Sequence, residues 1–123
     1  MKDKQIIIWQ RLEGALILAG SIWWFHLNSG NWWLFLLFLF SPDIFCLGYL
    51  KNTKAGAFFY NIGHSLVLPL FILLLSHPGY KHHVFNAALI WTAHIGMDRL
   101  LGFGLKYNDD FKHTHLGWIG KKK

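Results

Sequence analysis

The stretch WTAHIGMDRLLGFGL, residues 91–105, carries His94, Asp98 and Arg99 in an otherwise apolar segment. His94 and Asp98 are four apart, so on a helix they stand one above the other on the same face. Similar residues recur in other apolar blocks: Glu13, Asp43, and His64 with Asn61 three positions before it. Mixed imidazole and carboxylate donors bind zinc, manganese or iron. In that reading Asp43, His64, His94 and Asp98 hold a divalent ion and Glu13 is the general base. Arg99 fixes an anionic substrate group and His115 closes the mouth of the site. The reaction would be metal-assisted hydrolysis of an ester, phosphoester or amide carried by a lipid or small molecule. The spacing is unspecific, since HxxxD is short and no HExxH occurs.

Two other readings use the same residues. Glu13, Asp43, His64, His94 and Asp98 could relay protons or bind a transported cation; so small a bundle would then need a homo-oligomer. Alternatively, Arg99 and the histidines pair with the acids in a purely structural network that fixes helix register. Each reading starts from one cost: a charge at the centre of a bilayer is unfavourable by roughly 2.5 to 3.5 kcal/mol even on the gentler insertion scale. Such side chains must face the protein interior or one another.

The elements that would position them are four apolar segments, over residues 11–27, 32–50, 55–75 and 84–105, followed by a polar tail, 106–123. Each is near the length needed to cross about 30 Å of hydrocarbon at 1.5 Å per residue. The expected fold is all-α: a four-helix transmembrane bundle, up-down-up-down, in a single domain. HLNSGN and HPGYKHH, with Pro78-Gly79, supply turns. Pro69 should bend the third segment, and Pro42 the second beside Asp43. Gly14, Gly56, Gly63 and Gly96, with Ala15, Ala19, Ala57, Ala87 and Ala88, offer small surfaces for close helix contact. Continuous runs such as LFLLFLF lack the alternation of a membrane barrel.

Counted from the expected inner ends, Glu13 lies about 3 Å deep, Asn61 and Asp98 about 9 Å, and Asp43 about 10 Å. His64 and His94 reach roughly 13 to 15 Å. That shared level, drawn from all four segments, predicts one site open to the cytosol. The tail, with Asp109, Asp110, His113 and His115, is too short and polar to form its own core. Gly102 and Gly104 would let it leave the last helix early and fold over the bundle mouth.

Composition agrees with a membrane setting: 54% of residues are hydrophobic and 15% charged, against about 25% charged in soluble domains. The net charge of +6 sits at segment ends, which excludes a basic nucleic-acid face and favours anionic lipid headgroups as the partner. Lys2, Lys4, Arg11, Lys51, Lys54, Lys106, Lys112 and Lys121 to Lys123 flank one set of ends, and Lys81 alone the other. Positive-inside then predicts both termini in the cytoplasm. Trp23, Trp24, Trp32 and Trp33 read as interfacial anchors, and Cys46 as a small apolar filler without a disulfide partner. The basic start followed by bulky Trp23, Trp24 and Phe25 reads as an uncleaved first helix. His26, His77, His82 and His83 are expected near the outer interface. GFGLK lacks Walker spacing, and GAFFYNIG has no strand-helix unit around it.

The run TAHIGMDRLLGFGLKYNDDFKHTHLGWIG, residues 92–120, resembles the C-terminal signature of domain-of-unknown-function family 4260. RLEG at 11–14, SPD at 41–43 and NIGHS at 61–65 extend the likeness. The resemblance implies a small, multi-pass bacterial inner-membrane protein, and it brings no activity with it. Its pattern marks His94, Asp98, Arg99, Thr114 and His115, with Glu13, Asp43 and His64 as further positions. A looser similarity, in histidines and acids at helix ends, is to membrane-bound metal-dependent hydrolases.

Overall fold

The computed structural model describes residues 4–76 and 82–120. The Pro78-Gly79 turn, His77, Lys81 and the terminal lysines Lys2 and Lys121 to Lys123 lie outside the described residues. The chain is all-α apart from a small hairpin in the tail: α1 (Lys4–Leu27), α2 (Trp32–Phe38), a 3-10 helix (Ser41–Leu50), α3 (Thr53–His64), α4 (Val67–Ser76), α5 (His82–Leu101), β1 (His113–Thr114) and β2 (Gly117–Trp118). Three helical stretches, Lys4–Leu27, Trp32–Leu50 and Thr53–Ser76, are long and apolar enough to cross a membrane. The first helix begins at Lys4, seven residues before the expected span.

The fourth helix behaves differently. α5 carries His82, His83, Asn86, His94, Asp98 and Arg99 and is not among the apolar candidate spans. It is the most enclosed helix of the fold, with Phe85, Leu89, Ala93, His94 and Ile95 almost fully buried. Protein rather than lipid surrounds it, so it does not need an apolar circumference. The exposed apolar surface lies on the other helices, where Leu50 and Leu74 are 86% and 80% exposed. Apolar exposure on that scale is rare in a soluble monomer.

α1 crosses α5 at two glycines. A Cβ on Gly96 would stand 2.6 Å from the Leu18 nitrogen and 2.8 Å from the Gly14 carbonyl oxygen. One on Gly14 would stand 2.6 Å from the Leu100 nitrogen. The backbones therefore touch, and Arg11 Nε donates to the Leu100 carbonyl (2.8 Å), which the end of α5 leaves open. Phe25, Phe35, Phe85, Leu89, Ile90 and Ala93 build the core near the α1–α2 turn. Asn86 accepts a hydrogen bond from Asn28 there.

Both prolines interrupt their segments, each more sharply than a bend. Pro69 has no N–H for the Ser65 carbonyl, and the helix stops at His64 and resumes at Val67. This frees the carbonyls of Gly63 and His64. Trp91 Nε1 donates to the first (2.6 Å) and Arg99 Nη2 to the second (3.0 Å). At Pro42 the chain turns into a 3-10 helix: Ser41 Oγ takes the freed Phe38 carbonyl (2.7 Å), and the Asp43 N–H bonds Phe40 (3.0 Å). With three residues per turn, Asp43, Cys46 and Tyr49 fall on one edge of this helix. That helix packs on α3 at Gly56 and Gly63, whose missing Cβ atoms leave room for the rings of Tyr49 and Phe45.

α5 ends in a Schellman motif. Gly102 has φ +92°, the Phe103 N–H bonds the Asp98 carbonyl (2.7 Å), and the Gly102 N–H bonds Arg99 (3.0 Å). The early exit expected from Gly102 is realised, and the tail docks. Asn61 on α3 grips Lys106 through both backbone groups, Nδ2 to the carbonyl (2.9 Å) and Oδ1 from the N–H (2.7 Å). β1 and β2 pair antiparallel, and Thr114 also bridges Lys106. Thr114, Leu116 and Lys106 are buried.

Two outcomes follow from these contacts. Gly96→Ala should cost about 1 to 3 kcal/mol of stability by overpacking the α1–α5 crossing. Gly20→Ala, whose Cβ meets nothing within 4 Å, should be neutral; unfolding in detergent measures both. Asn61→Leu should release the tail, read as faster amide exchange at Lys106, Tyr107 and His113 to Leu116, while exchange in α5 stays slow.

Candidate functional site

Three elements deliver four side chains to one point. The 3-10 helix supplies Asp43, α3 supplies His64 in its last turn, and α5 supplies His94 and Asp98, stacked four residues apart. His64 Nε2 lies 3.1 Å from Asp43 Oδ1 and 3.6 Å from Asp98 Oδ2. His94 Nε2 lies 3.2 Å from Asp43 Oδ1 and 3.3 Å from Asp98 Oδ2. The two Nε2 atoms are 3.2 Å apart. One donor atom from each residue falls within 4.8 Å of all the others. The histidine side chains are buried, Asp98 is nearly so, and Asp43 is 50% exposed. The cluster is therefore closed on the imidazole side and reached past Asp43.

The histidines are aimed from behind. His64 Nδ1 donates to the Tyr60 carbonyl one turn back (2.9 Å), because a carbonyl can only accept. That bond puts the proton on Nδ1 and turns the Nε2 lone pair into the cluster. The Tyr60 ring stacks on the His64 ring at 3.8 Å and 5°, and Arg99 holds the His64 carbonyl. The edge of Phe40 meets the His94 ring at 6.1 Å. His94 Nδ1 is buried and makes no hydrogen bond of regular geometry among the described residues.

This arrangement poses an electrostatic problem. With its proton on Nδ1, neutral His64 directs a lone pair at carboxylate oxygens 3.1 and 3.6 Å away. Lone pairs repel at that distance unless something positive stands between them. A proton on Nε2 or a metal cation would serve, and these four residues could hold a cation.

Other expected site residues go elsewhere. Glu13 is exposed on α1 and outside the group of four. α1 meets α5 at this level through Gly14, so the expectation that all four segments contribute is corrected: α1 contributes packing only. Arg99 makes no ion pair with an acid among the described residues; its guanidinium caps α3. His115 works within the tail, where its Nδ1 accepts the Leu105 N–H (2.8 Å) in space left by Gly104. Asn61 holds the tail. Asp109 pairs with His113 (2.9 Å), which stacks on Trp118. That hydrogen bond holds the Asp109 carboxyl below its ordinary range.

Sequence reasoning passed over two residues beside the cluster. Tyr60 is one; its position four before His64 is the available signal. Lys106 was counted only as a headgroup charge. Its side chain is instead buried, with Nζ 4.7 Å from the Tyr60 ring centroid and 3.9 Å from that of Phe111. Burial pushes its ammonium below the ordinary lysine range, with Cys46 and Asp98 acting in the opposite direction.

No curated protein and no solved structure matches the chain. One family model covers nearly all of it, residues 7–119, and includes the four clustered residues, the capping arginines Arg11 and Arg99, and the docked tail. The chain belongs to the family described as a domain of unknown function, DUF4260.

Proposed function

We propose that Asp43, His64, His94 and Asp98 bind one divalent first-row metal ion, zinc, manganese or iron. On this reading the protein is a membrane-embedded metal-dependent hydrolase acting on a lipid or small anionic substrate. The observation that carries it is the spacing of the four donors. Ligand atoms about 2.0 to 2.2 Å from a common tetrahedral ion stand about 3.3 to 3.6 Å from one another. Five of the six donor pairs measure 3.1 to 3.6 Å. The Tyr60 carbonyl on His64 Nδ1 is the kind of outer partner that orients a metal-bound imidazole.

A divalent ion supplies Lewis-acid polarisation of a carbonyl or phosphoryl oxygen and makes water more acidic. The chain's own residues do the rest. His64 and His94 are fixed and closed off from solvent, and Asp98 is tied by its carbonyl into the helix cap. Asp43 is the only half-exposed donor of the four, so it is the carboxylate placed to meet incoming water and accept its proton. That role takes over from Glu13. Beside the α3–α4 break, Phe58, Ile62, Val67, Leu68 and Leu105 line a groove of about 710 Å³, with Lys54 and Asn108 also in its wall. Its apolar length and cationic border suit an acyl chain with an anionic head.

The proposed setting is a four-helix bundle in a bacterial inner membrane, up-down-up-down, with both termini and the tail on the cytoplasmic side. The exposed apolar helices and the basic residues Lys51, Lys54 and Lys112 support it. A second reading has an observation of its own. The His64–His94 contact and the flanking carboxylates also suit a metal-free network in which a protonated imidazole balances the acids.

Elemental analysis of detergent-purified protein separates the two. The expected result is about one metal ion per chain, retained in Glu13→Gln and lost in His64→Ala, His94→Ala and Asp98→Ala. Wild type that stays metal-free after incubation with zinc, manganese and iron, with its helical signal intact, would leave the metal-free network. Arg99→Gln should weaken metal affinity about 10- to 100-fold by loosening the end of α3 that carries His64. Unchanged affinity in that variant would return Arg99 to substrate binding.

A further inference from the structure

Two polar atoms beside the cluster lack an ordinary partner. The first is His94 Nδ1. His94 is 1% exposed, and its Nδ1 makes no hydrogen bond of regular geometry among the described residues. A ring nitrogen shut off from water in this way is rare in a folded protein and needs a reason. His64 sets the contrast, since its Nδ1 is anchored on the Tyr60 carbonyl.

The second is the Leu39 carbonyl oxygen, at the end of α2. A carbonyl in a helix is served by the N–H three residues on in a 3-10 turn, or four residues on in an α turn. For Leu39 these positions are Pro42 and Asp43. Pro42 has no N–H, and the Asp43 N–H is given to Phe40 (3.0 Å). The Ser41 hydroxyl, another donor at the break, takes the Phe38 carbonyl (2.7 Å). Neither helical donor therefore serves Leu39. Yet this carbonyl is the backbone group that the His94 ring meets. The next residue, Phe40, sets its ring edge-on to the same imidazole.

We infer that the Leu39 carbonyl is the outer hydrogen-bond partner of His94, accepting from Nδ1–H, and that Pro42 is the positioning residue that keeps this carbonyl free. The inference rests on the metal reading above and completes its support. Both imidazoles are then held from behind by backbone carbonyls, and both turn an Nε2 lone pair into the cluster. Restoring an N–H at Pro42 withdraws the carbonyl by either route. In a 3-10 turn the new N–H bonds Leu39 itself. In an α-helix it bonds Phe38, and the Asp43 N–H moves onto Leu39. His94 loses its partner in both cases, with its own side chain unchanged.

The test uses the full chain in detergent, isotope-labelled at its histidine ring nitrogens, with and without zinc. Nitrogen NMR shifts show which ring nitrogen carries the proton, and a downfield proton shift shows that it is hydrogen-bonded. Wild type should show a protonated, downfield-shifted Nδ1 in His94 as in His64, in both states. Pro42→Ala should keep its helical signal and bind zinc about 10- to 100-fold more weakly. Its His94 Nδ1 proton should lose the downfield shift while that of His64 keeps it. Two further variants separate this from a general disturbance of the break. Ser41→Ala removes the Phe38 contact and should leave the His94 signal as in wild type. Asp43→Ala removes a donor and should lower zinc binding, with the His94 Nδ1 signal still present. If Pro42→Ala does not fold, the wild-type His94 signal decides. A wild-type His94 with Nδ1 bare in the metal-free chain, or protonated without the downfield shift, overturns the inference. So does a wild-type signal in folded Pro42→Ala, or an equal loss of that signal in Ser41→Ala. Wild type that shows the His94 signal but takes up no zinc removes the metal reading and leaves the Leu39 contact standing. Zinc uptake without that signal does the reverse.

Discussion

The buried polar groups described in this fold are arranged around the cost of placing ionisable groups in an apolar body. α5 brings His94 and Asp98 into the interior, where neither can be left alone. The partners come from two neighbouring elements, Asp43 from the 3-10 helix and His64 from α3. Bringing them together requires close backbone approach, and glycines permit it. Gly14 and Gly96 let α1 and α5 touch, while Gly56 and Gly63 admit the 3-10 helix to α3. The cluster is thus the reason for the packing as much as its product.

The two prolines turn that packing into direction. A straight helix has no carbonyls to spare in its middle, so side chains of a neighbouring helix cannot grip it there. The interruption before Pro69 exposes two, and α5 takes both, through Trp91 and Arg99. His64 is consequently held at its carbonyl by Arg99, at its ring nitrogen by Tyr60, and on its face by the Tyr60 ring. The Pro42 interruption works differently. It changes the helical period to three, which lines Asp43, Cys46 and Tyr49 along one edge from the cluster towards the tail. A cluster of fixed geometry needs rigid supports, and here they are built from helix breaks rather than from loops.

The tail docks on α3 at Asn61, three residues before His64. Its hairpin has little apolar content, and Asn61 and the aromatic faces around Lys106 do the docking. The two amide hydrogen bonds of Asn61 imitate a strand pair, which is why a two-residue hairpin can sit on a helix at all. That single contact links α3, the histidine it carries and the buried Lys106 into a continuous unit.

Much of this was legible in the order of residues. Apolar runs of near-membrane length fix an all-helical chain with spans suited to a bilayer, because helix rise and transfer free energy are local quantities. Depth along the helices and the four-residue step from His94 to Asp98 were enough to single out the four residues that meet. Depth is blind to azimuth, however. Glu13 is expected near the same level as the cluster but faces outward. Arg99 follows Asp98 directly yet turns to a carbonyl freed by a proline thirty residues earlier. Lys106 looked like one basic flank among many, and nothing in its neighbourhood announces burial. Rotation about each helix axis, and the docking of a polar tail, depend on which surfaces meet at the glycine contacts. That is a property of pairs of distant segments, so the tertiary structure alone could decide it.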